Sequence, residues 1–347
     1  MTGGKEPSGP PALTRPDRFD KSMVMKQKVY VGAKLPGRPE EALKDEHEVT
    51  VSNGETASQQ EIEEAAPDAQ ALITLLSHRV DDDLLARCPS LRIVSNYAVG
   101  YNNIDVKSAT SRGVAVTNTP DVLTETTADL AWALMMSAAR RIVEADRFVR
   151  KGEFTGWKPS LFLGRDIHEK TLGVIGFGRI GRAVARRAMG FRMRVLYYDP
   201  KVTDISLEGG PWVERVELDT LLEKSDFVSI HCPLTPDTRH LIGKDEIAKM
   251  KHSAILINSA RGPVVDEEAL VDALSNGRLA GAGLDVYEDE PETAAGLTEL
   301  ENVVLAPHIG SATQETRRKM ARMAVEAVQD ILSGKPPRHL VNPEALR

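Results

Sequence analysis

The sequence predicts an α/β protein made of two doubly wound parallel-sheet domains, and three observations predict it. Short apolar runs alternate with helical stretches in two successive regions of the chain. Only the second region carries a glycine-rich turn, Gly176-Phe-Gly178-Arg-Ile-Gly181, set between an apolar run and a helical stretch. A last amphipathic stretch, Thr313 to Leu332, follows the final strand of that second region, so it is expected to return and complete the first domain.

Met1 to about Ser22 is rich in Gly, Pro and charge and lacks an apolar central run, so residues 1–24 read as a disordered tail rather than a signal peptide. Lys28 to Gly32 reads as a strand, Pro39 to Lys44 as a short helix, and Val49–Val51 and Ala71–Leu75 as strands. A helix over Asp81–Ala86, a strand over Leu91–Ser95, a helix over Val106–Arg112 and a strand over Val114–Thr117 complete the first part of that domain, residues 25–118. One long helix is expected next, capped by Thr124 and running to about Arg150, because Leu130, Leu134, Ala138 and Ile142 recur at i+4. Trp132, Met135 and Met136 on it read as core or subunit-interface packing. Gly156 to Gly164 is a loop with unusual apolar surface. The second domain, residues 119–308, continues with a strand over Leu172–Ile175, a helix over Arg179–Met189 and strands at Arg194–Tyr198, Phe227–His231, Ala254–Asn258, Ala282–Val286 and Val303–Leu305. In the closing helix Met320, Met323, Ala324 and Val328 share one face, and residues 309–347 are assigned to the first domain.

Composition narrows the function. The 347 residues carry a net charge of −7, which argues against general nucleic-acid binding. Cys88 and Cys232 lie far apart with no C-x-x-C, which points to reduced thiols in a cytoplasmic protein without a metal site. No run approaches the roughly 18 apolar residues of a membrane span.

The glycine turn points to a dinucleotide. Gly176 permits the tight turn, Gly178 lets the backbone approach a pyrophosphate, and Gly181 lets the helix pack on the strand. The helix N-terminus adds unpaired N–H groups and a positive dipole end. Asp199 ends the second strand of this unit, where its carboxylate can accept from ribose hydroxyls and repel a 2′-phosphate, so NAD is expected in preference to NADP.

Three further segments each follow or contain a predicted strand of this domain: Asn258 to Asp266, Gly281 to Pro291, and Ala306 to Ser311. The carboxyl ends of such strands converge on the ligand crevice, so Arg261, Glu290 and His308 are expected to meet there. Their chemistry suits hydride transfer to a 2-keto acid. A guanidinium grips a carboxylate with two parallel hydrogen bonds, and a histidine exchanges a proton with the keto oxygen. A neighbouring carboxylate orients the ring and favours its charged form. His231 lacks such a partner acid and reads as structural, and the remaining histidines show no comparable setting.

From about Lys28 to Gly334 the chain resembles the NAD(P)-dependent D-2-hydroxyacid dehydrogenases, and within them the glyoxylate/hydroxypyruvate reductases. The segments that carry the resemblance are Val99 to Asp105, the glycine turn, His231-Cys-Pro-Leu234, the Arg261 segment, Asp285 to Pro291, and Pro307-His308. It implies a Rossmann cofactor domain inserted into a flavodoxin-like substrate domain, and a homodimer. It also implies that Arg261 binds substrate, that Glu290 is the acid partner of the general acid/base His308, and that Val99 and Gly100 offer N–H groups to the substrate carboxylate. Cofactor contacts are implied for Thr127, Gly176, Phe177, Gly178, Arg179, Ile180, Gly181, Asp199, Cys232, Ser259, Ala260, Arg261, Asp285, His308 and Gly310.

Many such reductases have W-x-P-x-W where this chain has Trp157-Lys-Pro-Ser-Leu161, and the resemblance implies that this loop walls the partner subunit's site. Leu161 in place of the second tryptophan is expected to open the pocket to larger 2-keto acids. The alternatives are a D-3-phosphoglycerate or other D-2-hydroxyacid dehydrogenase, and a non-enzymatic NAD(H)-sensing scaffold like the corepressors of this fold.

Overall fold

The computed structural model describes residues 26–202 and 212–347. The tail assigned to residues 1–24 lies outside the described residues.

The first sheet is entirely parallel. Its strands are β1 (Lys28–Val31), β2 (Glu48–Val51), β3 (Ala71–Thr74), β4 (Ile93–Asn96) and β5 (Ala115–Thr117), in the order β2-β1-β3-β4-β5. Strands β3, β4 and β5 are buried along their whole length, which is why they read as continuous apolar runs rather than alternating ones. Helices α1 (Gln59–Ala65), α2 (Asp82–Ala86) and α3 (Val106–Ser111) cover one face with Ile62, Leu84, Leu85 and Ala109. Side-chain caps start each of them: Ser58, which forms a reciprocal box with Glu61, then Asp81 and Asp105. Sequence reading missed α1 despite that Ser58/Glu61 signature.

The second sheet holds β6 (Thr171–Ile175), β7 (Arg194–Tyr198), β8 (Val213–Arg215), β9 (Phe227–Ile230), β10 (Ile255–Asn258), β11 (Gly281–Leu284) and β12 (Val303–Leu305). The order is β12-β11-β10-β9-β6-β7-β8, all parallel. The direction of progression reverses between β6 and β9, where the carboxyl ends open the crevice used for ligands in such sheets. Helices α4 (Thr124–Ala139) and α6 (Arg179–Ala188) pack on one face around Trp132, Met135, Val184 and Phe177. On the other face α7 (Leu218–Lys224), α8 (Lys244–Lys249) and α9 (Glu267–Ser275) enclose Leu221, Ile247 and Leu270.

The long helix expected up to Arg150 is two helices, α4 and α5 (Ile142–Arg150). Arg141 between them has φ of 54°, and the Ala139 carbonyl accepts from the N–H of Arg165 at 2.8 Å instead of continuing the helix. Thr124 is the first residue of α4 and not its cap; Leu123 holds that position without a side-chain bond. The final helix, α10 (Gln314–Leu332), capped by Thr313, lays Ala321, Ala324, Val325 and Val328 onto Val29, Val31, Ile73 and Ile93 of the first sheet. This is the return expected from its position in the sequence.

Candidate active site

The glycine turn between β6 and α6 is tightly built. Gly176 has φ of 87°, and a Cβ there would stand 2.4 Å from the Cys232 amide nitrogen. A Cβ on Gly181 would stand 2.1 Å from the Gly176 carbonyl oxygen, so only glycine lets α6 approach the strand. Around Gly178, by contrast, none of the described residues lies within 4 Å of the position a Cβ would take, which leaves the helix N-terminus open to a ligand.

Asp199 does more than border this turn. Its Oδ2 accepts from the Phe177 N–H at 2.7 Å, and its Oδ1 accepts from Lys201 and Val202 at 2.8 and 3.1 Å. The Phe177 ring is buried against Tyr197, with ring centres 4.0 Å apart, so the side chain belongs to the core and its amide to Asp199. Arg179 ion-pairs with Asp121 at 2.6 Å, while Ile180 packs against the core beside it. Cys232 is buried, and burial pushes its thiol up to about 11, so it is neutral. At the end of β10 the Ser259 hydroxyl is buried and has no hydrogen-bond partner among the described residues. An open helix N-terminus after β6 and a buried hydroxyl after β10, both at carboxyl ends of the same parallel sheet, fit the binding of a dinucleotide.

Arg261, Glu290 and His308 meet at the carboxyl ends of β10, β11 and β12. The buried Asn258 shapes the turn that presents Arg261: its Nδ2 donates to the Arg261 carbonyl at 2.9 Å and its Oδ1 accepts from Ala260 at 3.1 Å. The guanidinium reaches Asn102 Oδ1 on the first-sheet side at 3.3 Å and the Ala260 carbonyl at 2.6 Å. It lies so close to Gly100 that a Cβ there would stand 1.7 Å from its Nη2. Burial pulls the Arg261 pKa below its ordinary value against the field of Glu290, yet a guanidinium remains cationic.

His308 Nδ1 lies 2.8 Å from Glu290 Oε2, and Glu290 Oε1 accepts from the Tyr287 N–H at 3.2 Å. Burial by itself would raise the Glu290 pKa, but the His308 contact, the Tyr287 N–H and the charge of Arg261 together hold the group below its ordinary value. The backbone of His308 has φ of 53°, and its N–H donates to the Asp285 carbonyl at 2.9 Å. Asp285 is almost wholly buried and its Oδ1 accepts from Ile309 at 2.7 Å. Burial raises its pKa to about 6. Thr127 on α4 donates to the Gly310 carbonyl at 3.1 Å, which joins the start of that helix to the His308 segment.

On the first-sheet side Val99 and Gly100 stand opposite, with the Val99 carbonyl held by Asn118 at 2.8 Å. His231 lies apart from this group. Its Nε2 meets Ser229 Oγ at 2.8 Å and burial pushes its pKa down to about 3, as a structural, neutral histidine requires. Asn102, Asn258 and Tyr287 escaped sequence reading as contributors. Each sits inside a segment already singled out, but nothing in a spacing tells which neighbour of Arg261 or Glu290 will touch it.

A dinucleotide turn joined to an arginine and a histidine–carboxylate pair in the adjoining crevice defines a nicotinamide-dependent dehydrogenase of small carboxylic acids. Residues 132–310 match the family described as D-isomer specific 2-hydroxyacid dehydrogenase, NAD binding domain. The chain is 51% identical over 327 residues to a glyoxylate reductase of Korarchaeum cryptofilum, covering 93% of this chain and 98% of that one. A solved glyoxylate reductase from Paecilomyes thermophila is similar at a TM-score of 0.81 and 34% identity, over 92% of this chain and 99% of that one. An NADPH-dependent glyoxylate/hydroxypyruvate reductase from Sinorhizobium meliloti, solved with NADP and malonate, is similar at 0.80 and 32%, over 92% and 98%. The chain belongs to the D-2-hydroxyacid dehydrogenase family, and its reaction is hydride transfer to a 2-keto acid. These relatives do not favour the phosphoglycerate dehydrogenase or corepressor alternatives.

Proposed function

We propose that the protein reduces a small 2-keto acid with NADH, glyoxylate to its achiral 2-hydroxy acid or hydroxypyruvate to the D-2-hydroxy acid, as a cytoplasmic homodimer. The observation that carries the reading is the 2.8 Å His308–Glu290 pair facing an Arg261 that packs on Gly100. Arg261 holds the substrate carboxylate and polarises the keto oxygen, and the amides of Val99 and Gly100 meet the carboxylate from the other side. With Nδ1 committed to Glu290, which fixes the orientation of the ring, His308 delivers its proton from Nε2 to the keto oxygen. The bound nicotinamide supplies the hydride. Gly176, Gly178, Gly181, Ile180 and the amide of Arg179 would hold the pyrophosphate, Asp285 and Ser259 would line the nicotinamide side and Cys232 the adenosine side, and Ala260, Thr127 and Gly310 would approach the cofactor. We place the joints between the domains near residues 118 and 308, a division supported by the packing of α10 on the first sheet.

The preference for NADH rests on the Asp199 carboxylate, which a 2′-phosphate would have to meet. One observation favours a second reading with NADPH: the Arg215 guanidinium comes within 3.5 Å of the Asp199 carbonyl, a cation in the right neighbourhood. Steady-state oxidation of NADH and NADPH with glyoxylate, hydroxypyruvate, pyruvate and phenylpyruvate tests both points. The expected order is glyoxylate and hydroxypyruvate ahead of pyruvate, with NADH the better donor; activity with no 2-keto acid overturns the reading. Asp199→Ala should weaken NADH binding and narrow the gap to NADPH. A wild-type enzyme already faster with NADPH shows that Arg215 and not Asp199 decides.

A further inference from the structure

We propose that Asn96 and Asn103 are positioning residues for substrate binding, their paired side-chain amides fixing the Val99–Gly100 segment against Arg261. The inference deepens the functional reading above and rests on it. Asn96, fully buried at the end of β4, donates from Nδ2 to the Gly100 carbonyl at 2.8 Å and to Asn103 Oδ1 at 3.2 Å, and its Oδ1 accepts from Thr74 Oγ1 at 3.0 Å. Asn103 donates from Nδ2 to the carbonyls of Leu75 and His78 at 3.0 and 2.9 Å. The amide pair therefore stitches together the loops that follow β3 and β4, at the carboxyl end of the sheet that faces Arg261.

His78 anchors the far end of this chain of bonds. Its Nδ1 accepts from the Leu75 N–H at 3.1 Å and its Nε2 donates to the Ala57 carbonyl at 3.0 Å, which fixes one neutral tautomer. Its ring stands where a Cβ on Gly32 would come within 2.7 Å, so it has no room to shift toward β1. At the near end Gly100 has no room for even a methyl group beside Arg261. A carboxylate that meets the Gly100 amide and that guanidinium is thus placed in part by a backbone segment whose position the Asn96–Asn103 pair fixes. Fully bonded amide networks of this kind hold a single geometry, and a displacement of about 1 Å at a reacting centre can cost on the order of 10²-fold in rate.

Asn103→Asp is nearly isosteric but replaces a donor with a carboxylate oxygen facing two carbonyl oxygens. The experiment measures kcat and KM for glyoxylate, the NADH dissociation constant by fluorescence and the melting temperature for wild type, Asn103→Asp and Asn96→Asp. The expected result is a kcat/KM lowered about 10- to 100-fold, mainly through KM, with the NADH constant unchanged. A merely structural role predicts instead that NADH binding weakens in step, and that result, or an unchanged KM, overturns the proposal. Should the Asp variants not fold, Asn103→Ala removes the donors without the repulsion and is held to the same split. An inactive wild type sinks the functional reading itself, whereas an active wild type with an indifferent Asn103→Asp sinks only the positioning role.

Discussion

Glu290 and Asp285 are two acids on one segment, driven in opposite directions by what surrounds them. Burial favours the neutral form of both, but at Glu290 His308, the Tyr287 N–H and Arg261 together prevail, while at Asp285 burial prevails over the N–H groups of Ile309 and Gly310. An acid whose pKa is raised on folding stabilises the native state fully below its unfolded value, and that contribution is lost as pH rises through the folded value. For Asp285 the loss falls between its ordinary 3.8 and about 6. Thermal melts of the cofactor-free protein should show Asp285→Asn gaining on wild type across this window; a constant difference between the two would remove Asp285 as the titrating group. The catalytic prediction is sharper. His308→Ala should lower turnover by about 10²–10⁴-fold while NADH still binds, and undiminished turnover removes it from proton transfer. Arg261, Glu290 and His308 were legible as chemistry in the sequence because they follow three strand ends. Asn102, Asn258 and Tyr287 were not, because their parts depend on bonds across turns and between domains.

At the scale of elements, the two glycines of the α6 turn separate folding from binding. Gly181 is crowded by the Gly176 carbonyl and Gly178 by none of the described residues. Gly181→Ala should therefore destabilise the protein by about 1–3 kcal/mol through overpacking. Gly178→Ala should cost under about 1 kcal/mol of stability yet weaken NADH binding. Equal behaviour of the two variants in melts and in NADH titration would contradict this division. Periodicity gave α10 and the strands other than β8 closely, since α10 and the central strands bury an apolar stripe or run and β2 alternates valines with exposed polar residues. It ran straight through the α4–α5 break because Leu130, Leu134, Ala138 and Ile142 keep the i+4 spacing, while the break comes from a bond to Arg165 made only after the loop has returned. The three-residue edge strand β8 carries too little pattern to be read.

For the whole molecule, α5 and the loop after it pose the remaining question. No residue of α5 is buried, and Ile142, Val149, Phe154 and Leu163 are exposed beside Trp157, which is 84% exposed. The loop is nonetheless ordered against α5, with Phe162 edge-on to Phe148 at 5.2 Å and the Arg141 guanidinium over its ring at 5.1 Å. The homodimer proposed above would cover these exposed apolar side chains with a two-fold copy of the chain. Light scattering on a sizing column should give twice the chain mass, and Trp157→Asp combined with Val149→Asp should shift it toward the monomer; a monomeric wild type rejects the dimer. The two parallel sheets, the dinucleotide turn and the side chains proposed to react were legible in the linear chain. Strand hydrophobicity, glycine spacing and the acid after the second strand are local properties that survive in a linear text. The tertiary structure decided how the Arg261 guanidinium meets Gly100 and Asn102 across the two sheets, and which acid keeps its charge. It also decided where the long helix breaks. Burial and hydrogen bonds between distant segments set all three, and they exist only once the chain has closed on itself.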